Sequence, residues 1–247
     1  MFRKLFKRTL QKFNITLVED YDSDISEEFG RLCRELEPYT MTRKLRMYAL
    51  YQAVHHVVHN RIPGDFVECG VWRGGSSMLA ARTFLQLGES SRKLYLYDTF
   101  GGMSEPTDVD VSIKGEDART LWKNSRKGDI STWCYCPVGE VQENLYSTGY
   151  TKKNVVFVKG KVEDTIPGEM PEQICILRLD TDLYESTYHE LVHLYPRLSR
   201  SGILILDDYH YWQGAKKAVD RYFKEQGQPV FLHRIDNSAR LVVKPSV

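Results

Sequence analysis

No stretch of eighteen apolar residues occurs in the 247-residue chain, so no membrane-spanning helix is expected. Charge of either sign is also not in excess. The formal net charge is +1, which removes the field that draws basic proteins to nucleic acid. An Asn/Asp-Pro-Pro-aromatic segment to hold an extruded base is missing too, so nucleic acid is not an expected partner. Cysteine is sparse: five residues, an odd number, with Cys69 and Cys175 inside apolar runs. No secretory signal with an extended apolar core is read. The expectation is free thiols in a reducing, cytoplasmic setting. Cys134-Tyr135-Cys136 has no second pair to complete a zinc site. Internal repeats and low-complexity tracts are absent.

What is present has the rhythm of an α/β protein. Apolar runs at Phe66–Cys69, Leu94–Tyr97, Val155–Val158, Ile174–Leu179 and Ile203–Leu206 show little alternation, as expected of parallel strands covered on both faces. Helical patterns separate most of them, as at 76–87 and 185–198. Two short runs, Val230–Arg234 and Arg240–Val243, fit an antiparallel hairpin at the sheet edge. The predicted fold is an α/β doubly wound, mostly parallel seven-stranded sheet of Rossmann-like type. Residues 26–37 and 42–60 read as helices in front of it, so residues 1–60 are expected to form an N-terminal helical extension and 61–247 the main domain. Within the latter, the polar stretch 99–150 reads as an insertion serving as a substrate lid. His55 and His59 lie four apart on the second helix without an acid or third ligand nearby. They read as a helix face, as do His189 and His193.

The first 13 residues, MFRKLFKRTLQKF, carry five basic side chains and no acid. Phe2, Leu5, Phe6, Leu10 and Phe13 can share one helical face. Packing on its own domain or on a second subunit is the preferred reading; peripheral contact of residues 1–13 with an anionic membrane, at its inner face, is the alternative.

The stretch VECGVWRGGSSMLAA sets Gly70, Gly74 and Gly75 between the first strand and a helix. In an open α/β sheet, ligands sit at the carboxyl ends of strands. The dinucleotide pattern Gly-x-Gly-x-x-Gly does not fit this spacing, and Glu68 at the strand end is ill placed beside a pyrophosphate. That argues against a nicotinamide-dependent dehydrogenase. An acid there suits S-adenosylmethionine, which carries an ammonium, a sulfonium and a ribose but no phosphate. Asp98 ends the second strand and can accept from ribose hydroxyls.

A second set of acids ends the later strands: Asp180 and Asp182 in LRLDTDLYEST, Asp207 and Asp208 in ILILDDYH. Tips of neighbouring strands lie about 4.8 Å apart. Carboxylates gathered there repel unless protonated or neutralised by a cation. Oxygen-only ligands favour a hard divalent ion, with Mg²⁺ the first candidate. Capping of the following helix is the alternative for Asp182. A metal beside a methyl donor activates a hydroxyl, and a carboxylate takes its proton.

The blocks PYTMTRKLRMYAL, IPGDFVECGVWRGGSS, YLYDTFGGM, LRLDTDLYESTYHELVHLYPRLSRSGILILDDY and GAKKAVDRYF, in that order over residues 38–224, resemble the macrocin O-methyltransferase family (the TylF/MycF type). The basic N-terminus lies outside that span, and 103–135 matches loosely. The resemblance implies a metal-dependent O-methyltransferase using S-adenosylmethionine. By position it implies that Glu68, Gly70 and Gly74 line the methionine part, that Ser76 also binds the cofactor, and that Asp98, with Thr99–Gly102, holds the ribose. Lys161, Val162 and Asp164 would lie near the adenine, and Tyr39–Met41 would close over the cofactor. Asp180, Asp207 and Asp208 would bind the metal. Asp180 would be the base, with Asp182 and His210 as further candidates. The implied acceptor is a hydroxyl of a sugar or glycan; a phenolic or other small natural product stays open, as does a non-catalytic binding protein of the same fold. A homo-oligomer is expected.

Overall fold

A computed structural model describes residues 25–227 and 229–245. The reading of residues 1–13 lies outside the described residues. Helix α1 (Glu27–Leu36) starts where the Ser26 side chain accepts a hydrogen bond from the Phe29 amide at 3.3 Å, with Glu27 and Glu28 in the favourable first turn. Helix α2 (Lys44–His59) follows a loop at 40–43. The alternating core is β1 (Asp65–Cys69), α3 (Gly75–Gln86), β2 (Leu94–Asp98), then α4 (Ala118–Ser125), a small hairpin β3 (Arg126–Lys127) and β4 (Ile130–Ser131), and α5 (Val138–Ser147). It continues through β5 (Val155–Lys159), α6 (Val162–Thr165), β6 (Ile174–Leu179), α7 (Tyr184–Leu194), β7 (Leu198–Leu206) and α8 (Gln213–Glu225), and ends on β8 (His233–Arg234) and β9 (Arg240–Val243).

The main sheet has seven strands in the order β5-β2-β1-β6-β7-β9-β8. Strands β5 to β7 of that order are parallel; β9 runs antiparallel to both β7 and β8. The expected fold and its edge hairpin are therefore present. Side chains alternate across a strand, so each face has its own core. Phe66, Leu94, Leu96, Ile176, Ile203 and Ile205 pack under α1, α2, α3 and α5. Val67, Leu177, Leu179, Leu204 and Leu206 pack under α7 and α8.

Two boundaries drawn from sequence look different in space. Phe29, Leu32, Leu36, Met47 and Leu50, from the segment read as an extension, join the same buried cluster as Phe66. The 99–150 segment divides: 99–135 arches beside the strand ends, while α5 packs Val141 and Leu145 into the core against α3 and serves as a crossover helix between β2 and β5. Among the described residues no helix is long and apolar enough to cross a membrane.

Candidate active site

Strand register builds the site. The order β5-β2-β1-β6-β7 sets five carboxyl ends in a row. The ladder continues past the strands: Gly160 N–H bonds the Asp98 carbonyl, Gly70 the Tyr97 carbonyl, Asp180 the Cys69 carbonyl and Asp207 the Leu179 carbonyl, at 2.9–3.0 Å. Winding reverses between β1 and β6, the point where open α/β sheets bind ligands. A cavity of about 570 Å³ opens there, lined by Gly70, Asp98, Lys161, Asp180, Asp207 and Trp133 among others.

Its first half is the turn region of β1 and β2. One oxygen of the Asp98 carboxylate accepts from the amides of Val71 (2.7 Å) and Trp72 (3.0 Å), and the other from Phe100 (2.7 Å). Burial raises its pKa, with these amides pulling the other way. Residues 39–40 come over the start of α3. A Cβ on Gly75 would meet the Tyr39 carbonyl oxygen at 2.6 Å, so only glycine permits this approach.

The second half is acidic. Asp180, Asp207 and Asp208 can each offer an oxygen such that all three lie within 4.8 Å of one another. The register explains it. Glu68 pairs with Arg178, and Arg178 with Ile205, so these three share one face; two residues on, Asp180 and Asp207 share it also. Arg178 is 2% exposed and donates to Glu68, Asp180 and Asp207 at 2.7 Å each and to the Thr42 hydroxyl at 3.0 Å. Arg46 of α2 pairs with Asp207 and with Asp236. Asp182, in the left-handed region at φ 66°, adds backbone strain beside these acids.

Two arginines thus face six carboxylates, Glu68, Asp180, Asp182, Asp207, Asp208 and Asp236, leaving four formal negative charges uncompensated. Burial and the neighbouring acids push Asp180 and Asp208 well above the carboxylate range, against the pull of Arg178 and Arg46 respectively. Burial first, then Asp180 and Asp207, bring Asp182 to about 7. A cluster of oxygen ligands with this surplus of negative charge fits a hard divalent cation.

A family model described as Macrocin-O-methyltransferase (TylF) matches residues 3–243. The chain belongs to this family. It is an S-adenosylmethionine-dependent O-methyltransferase. The match is wider at both ends than the motifs, and includes most of the basic N-terminus. An 8-demethyl-8-(2,3-dimethoxy-alpha-L-rhamnosyl)-tetracenomycin-C 4'-O-methyltransferase of Streptomyces olivaceus is 33% identical over 211 residues, 82% of this chain and 78% of that protein. A mycinamicin III 3''-O-methyltransferase of Micromonospora griseorubida is 32% identical over 76% of this chain and 72% of its own length. The structure of the O-methyltransferase NovP superposes with a TM-score of 0.71 at 32% identity, covering 84% of this chain and 82% of NovP.

In this methyltransferase the cavity gathers Met41, Gly70, Asp98, Thr99, Gly102, Lys161 and Val162 of the expected cofactor residues, with Asp180, Asp182, Asp207 and Asp208. Five expected cofactor residues do not line it. The Glu68 carboxylate is committed to Arg178 and to the Ser77 hydroxyl. Ser76 is buried against Thr42 and Met47. Gly74 caps α3 and faces Leu145. Tyr39 packs on the core, and Asp164 is exposed on α6 while Glu163 faces inward. Among the acid–base candidates, His210 is exposed and outside the cavity, because its amide is tied to the Ser238 carbonyl at 3.1 Å.

Sequence reasoning passed over Arg178, Arg46, Thr42 and Glu190. A signal existed for Arg178: a charged side chain in ICILRL, a strand buried along its whole length, must meet counter-charges. Glu190 had no such signal. It is fully buried on α7, accepts from the Thr181 hydroxyl at 3.0 Å, and is held well above its ordinary pKa by burial.

Proposed function

We propose that this enzyme methylates a hydroxyl of a sugar or glycan acceptor, with a divalent cation, Mg²⁺ first, held by Asp180, Asp207 and Asp208. The gathering of these three acids within 4.8 Å, in the same cavity as Gly70 and Asp98, is the observation that carries the reading. The rhamnosyl and mycinamicin relatives support a sugar as acceptor.

S-adenosylmethionine supplies the methyl group on a sulfonium; Gly70, Asp98 to Gly102, Lys161 and Val162 would hold it, under Met41. A divalent ion supplies Lewis acidity toward a hydroxyl oxygen. Asp180 is the proton acceptor and Asp182 the second candidate. Trp133 and Trp212, their rings 5.7 Å apart, form with Leu121 and Met103 an apolar wall on the lid side of the cavity. That wall excludes water and offers flat contact to a sugar ring, while Glu116 supplies polar orientation.

Incubation with S-adenosylmethionine and a panel of glycosides should give products heavier by one methyl group, lost on adding chelator. Methylation of phenols alone would defeat the acceptor assignment, and full turnover in chelator the metal. Trp133→Ala should raise the acceptor KM about tenfold, some 1.4 kcal/mol, with S-adenosylhomocysteine affinity changed less than about twofold. A KM that stays put would remove the lid wall from acceptor binding.

A pH effect follows from the crowding. Folded Asp182 holds its proton up to about 7, whereas an unfolded aspartate releases it near 3.9. The folded state therefore binds more protons between these values, and the metal-free protein loses stability as pH rises from about 4 to 7. Protons also compete with the metal for the acids. The rise in Tm given by saturating Mg²⁺ should then be larger at pH 8 than at pH 6. Equal shifts at both pH values would count against the cluster as the binding site.

A further inference from the structure

Arg178 touches both halves of the site, and it does so symmetrically. Its Nη1 donates to Glu68 Oε1 and to Asp180 Oδ2; its Nη2 donates to Thr42 Oγ1 and to Asp207 Oδ1. Each terminal nitrogen has two hydrogens. Each therefore spends one on a group behind the glycine turn or the 39–42 segment, Glu68 or Thr42, and one on the clustered acids, and none is spare. Glu68 ends β1, where the glycine turn begins. It is fixed from behind by Ser77, in the first turn of α3. Thr42 closes the 39–42 segment over the cavity, its own amide held by Thr40 Oγ1 at 3.0 Å. Asp180 and Asp207 are two of the three clustered acids.

A guanidinium is a rigid planar fork. Its plane cannot turn to suit one pair of partners without disturbing the other. A donor seated against Met41 and Thr42 fixes Thr42 and with it Nη2. That fixes which oxygen of Asp207 Arg178 takes and which is left to Arg46. Drawing Asp180 and Asp207 toward a cation acts back on Glu68 and Thr42 by the same route. We propose that Arg178 links the donor half to the acidic half, so that S-adenosylmethionine or its product and a divalent cation strengthen each other's binding. This rests on the metal reading above. By thermodynamic necessity the effect is reciprocal: the factor by which the cation improves donor affinity equals the factor by which the donor improves cation affinity.

The test uses S-adenosylhomocysteine and Mn²⁺ on the full chain. Calorimetry gives the S-adenosylhomocysteine affinity with and without saturating Mn²⁺. Free Mn²⁺, counted by its electron paramagnetic resonance signal, gives the cation affinity with and without S-adenosylhomocysteine. The wild type should show a factor of about five or more in both directions. Arg178→Lys keeps the charge but cannot reach four acceptors in one plane, and should bring the factor below about two. Should Arg178→Lys unfold, Thr42→Val decides: it leaves every ion pair of Arg178 in place, removes one link to the donor side, and should also lower the factor. A merely structural arginine would weaken both affinities and leave their ratio untouched. A wild-type factor of one, with both ligands bound, overturns the linkage and spares the metal site. An unchanged factor in Thr42→Val and Arg178→Lys overturns it likewise. No Mn²⁺ binding in any state overturns the metal reading and this linkage together.

Discussion

Replacing Asp207 and Asp208 together by alanine is expected to cut turnover about a thousandfold, roughly 4 kcal/mol in the barrier, while S-adenosylhomocysteine still binds. The two acids end β7 and lie on the side of the cavity away from Lys161 and Val162, so the donor half keeps its contacts. The arginines are not stranded either: Arg178 retains Glu68 and Asp180, and Arg46 retains Asp236. Removing two of six crowded carboxylates relieves repulsion in the metal-free protein. Its Tm should therefore hold or rise, and Mg²⁺ should no longer shift it. The measurement is methyl transfer by mass spectrometry beside calorimetry with S-adenosylhomocysteine and a thermal melt. A double variant with wild-type turnover would end the metal mechanism. One that loses donor binding outright would mean the acids serve the fold and not the chemistry. The expected pairing of lost activity with kept stability marks residues that are held at a cost to the fold for the sake of function.

The strands and the tips were legible in the sequence because parallel strands covered on both faces must be continuously apolar, and the polar residue that ends such a run marks the cavity. Asp98, Asp180, Asp207 and Asp208 were found in this way, and each lines the cavity. Side chains placed by their distance along the chain from the glycine turn sit elsewhere in the structure. Its place two residues before Gly70 suggests that Glu68 contacts the cofactor, yet its carboxylate does not line the cavity. Alternation puts it on the α2–α3 face, level with Arg178, and a buried carboxylate so close to a buried guanidinium pairs with it. That pairing spans 110 residues, a separation that no local pattern encodes. His210 lies outside the cavity for a related reason. Adjacency to two site acids places its backbone, but the hydrogen bond from its amide to Ser238 turns the chain outward. The lid was legible as an irregular stretch, but α5 was not separated from it, since its two buried positions, Val141 and Leu145, are too few to announce a core helix.

Gly70→Ala is the substitution expected to damage this protein most. The residue sits at φ 83°, where an L side chain is strained by roughly 1–3 kcal/mol. The greater obstacle is space. A Cβ at Gly70 would fall 2.1 Å from the Asp180 carbonyl oxygen and 2.6 Å from its carbonyl carbon. Both are backbone atoms and cannot rotate away. Nor can Asp180 retreat freely, because its amide bonds the Cys69 carbonyl at 2.9 Å and its carboxylate is held by Arg178. Either β1 parts from β6 at its tip or the acid leaves the cluster. Unfolding free energy should fall by about 4 kcal/mol or more, with metal and donor sites lost together. Gly88→Ala is the matched control. Gly88 also has a positive φ, 73°, yet nothing lies within 4 Å of its would-be Cβ, so only the backbone strain, about 1 kcal/mol, should appear. Urea melts of the two variants separate the contributions: similar losses would mean that the close approach of Gly70 to Asp180 carries no weight, and the meeting of the donor turn with the metal acids would lose its physical basis.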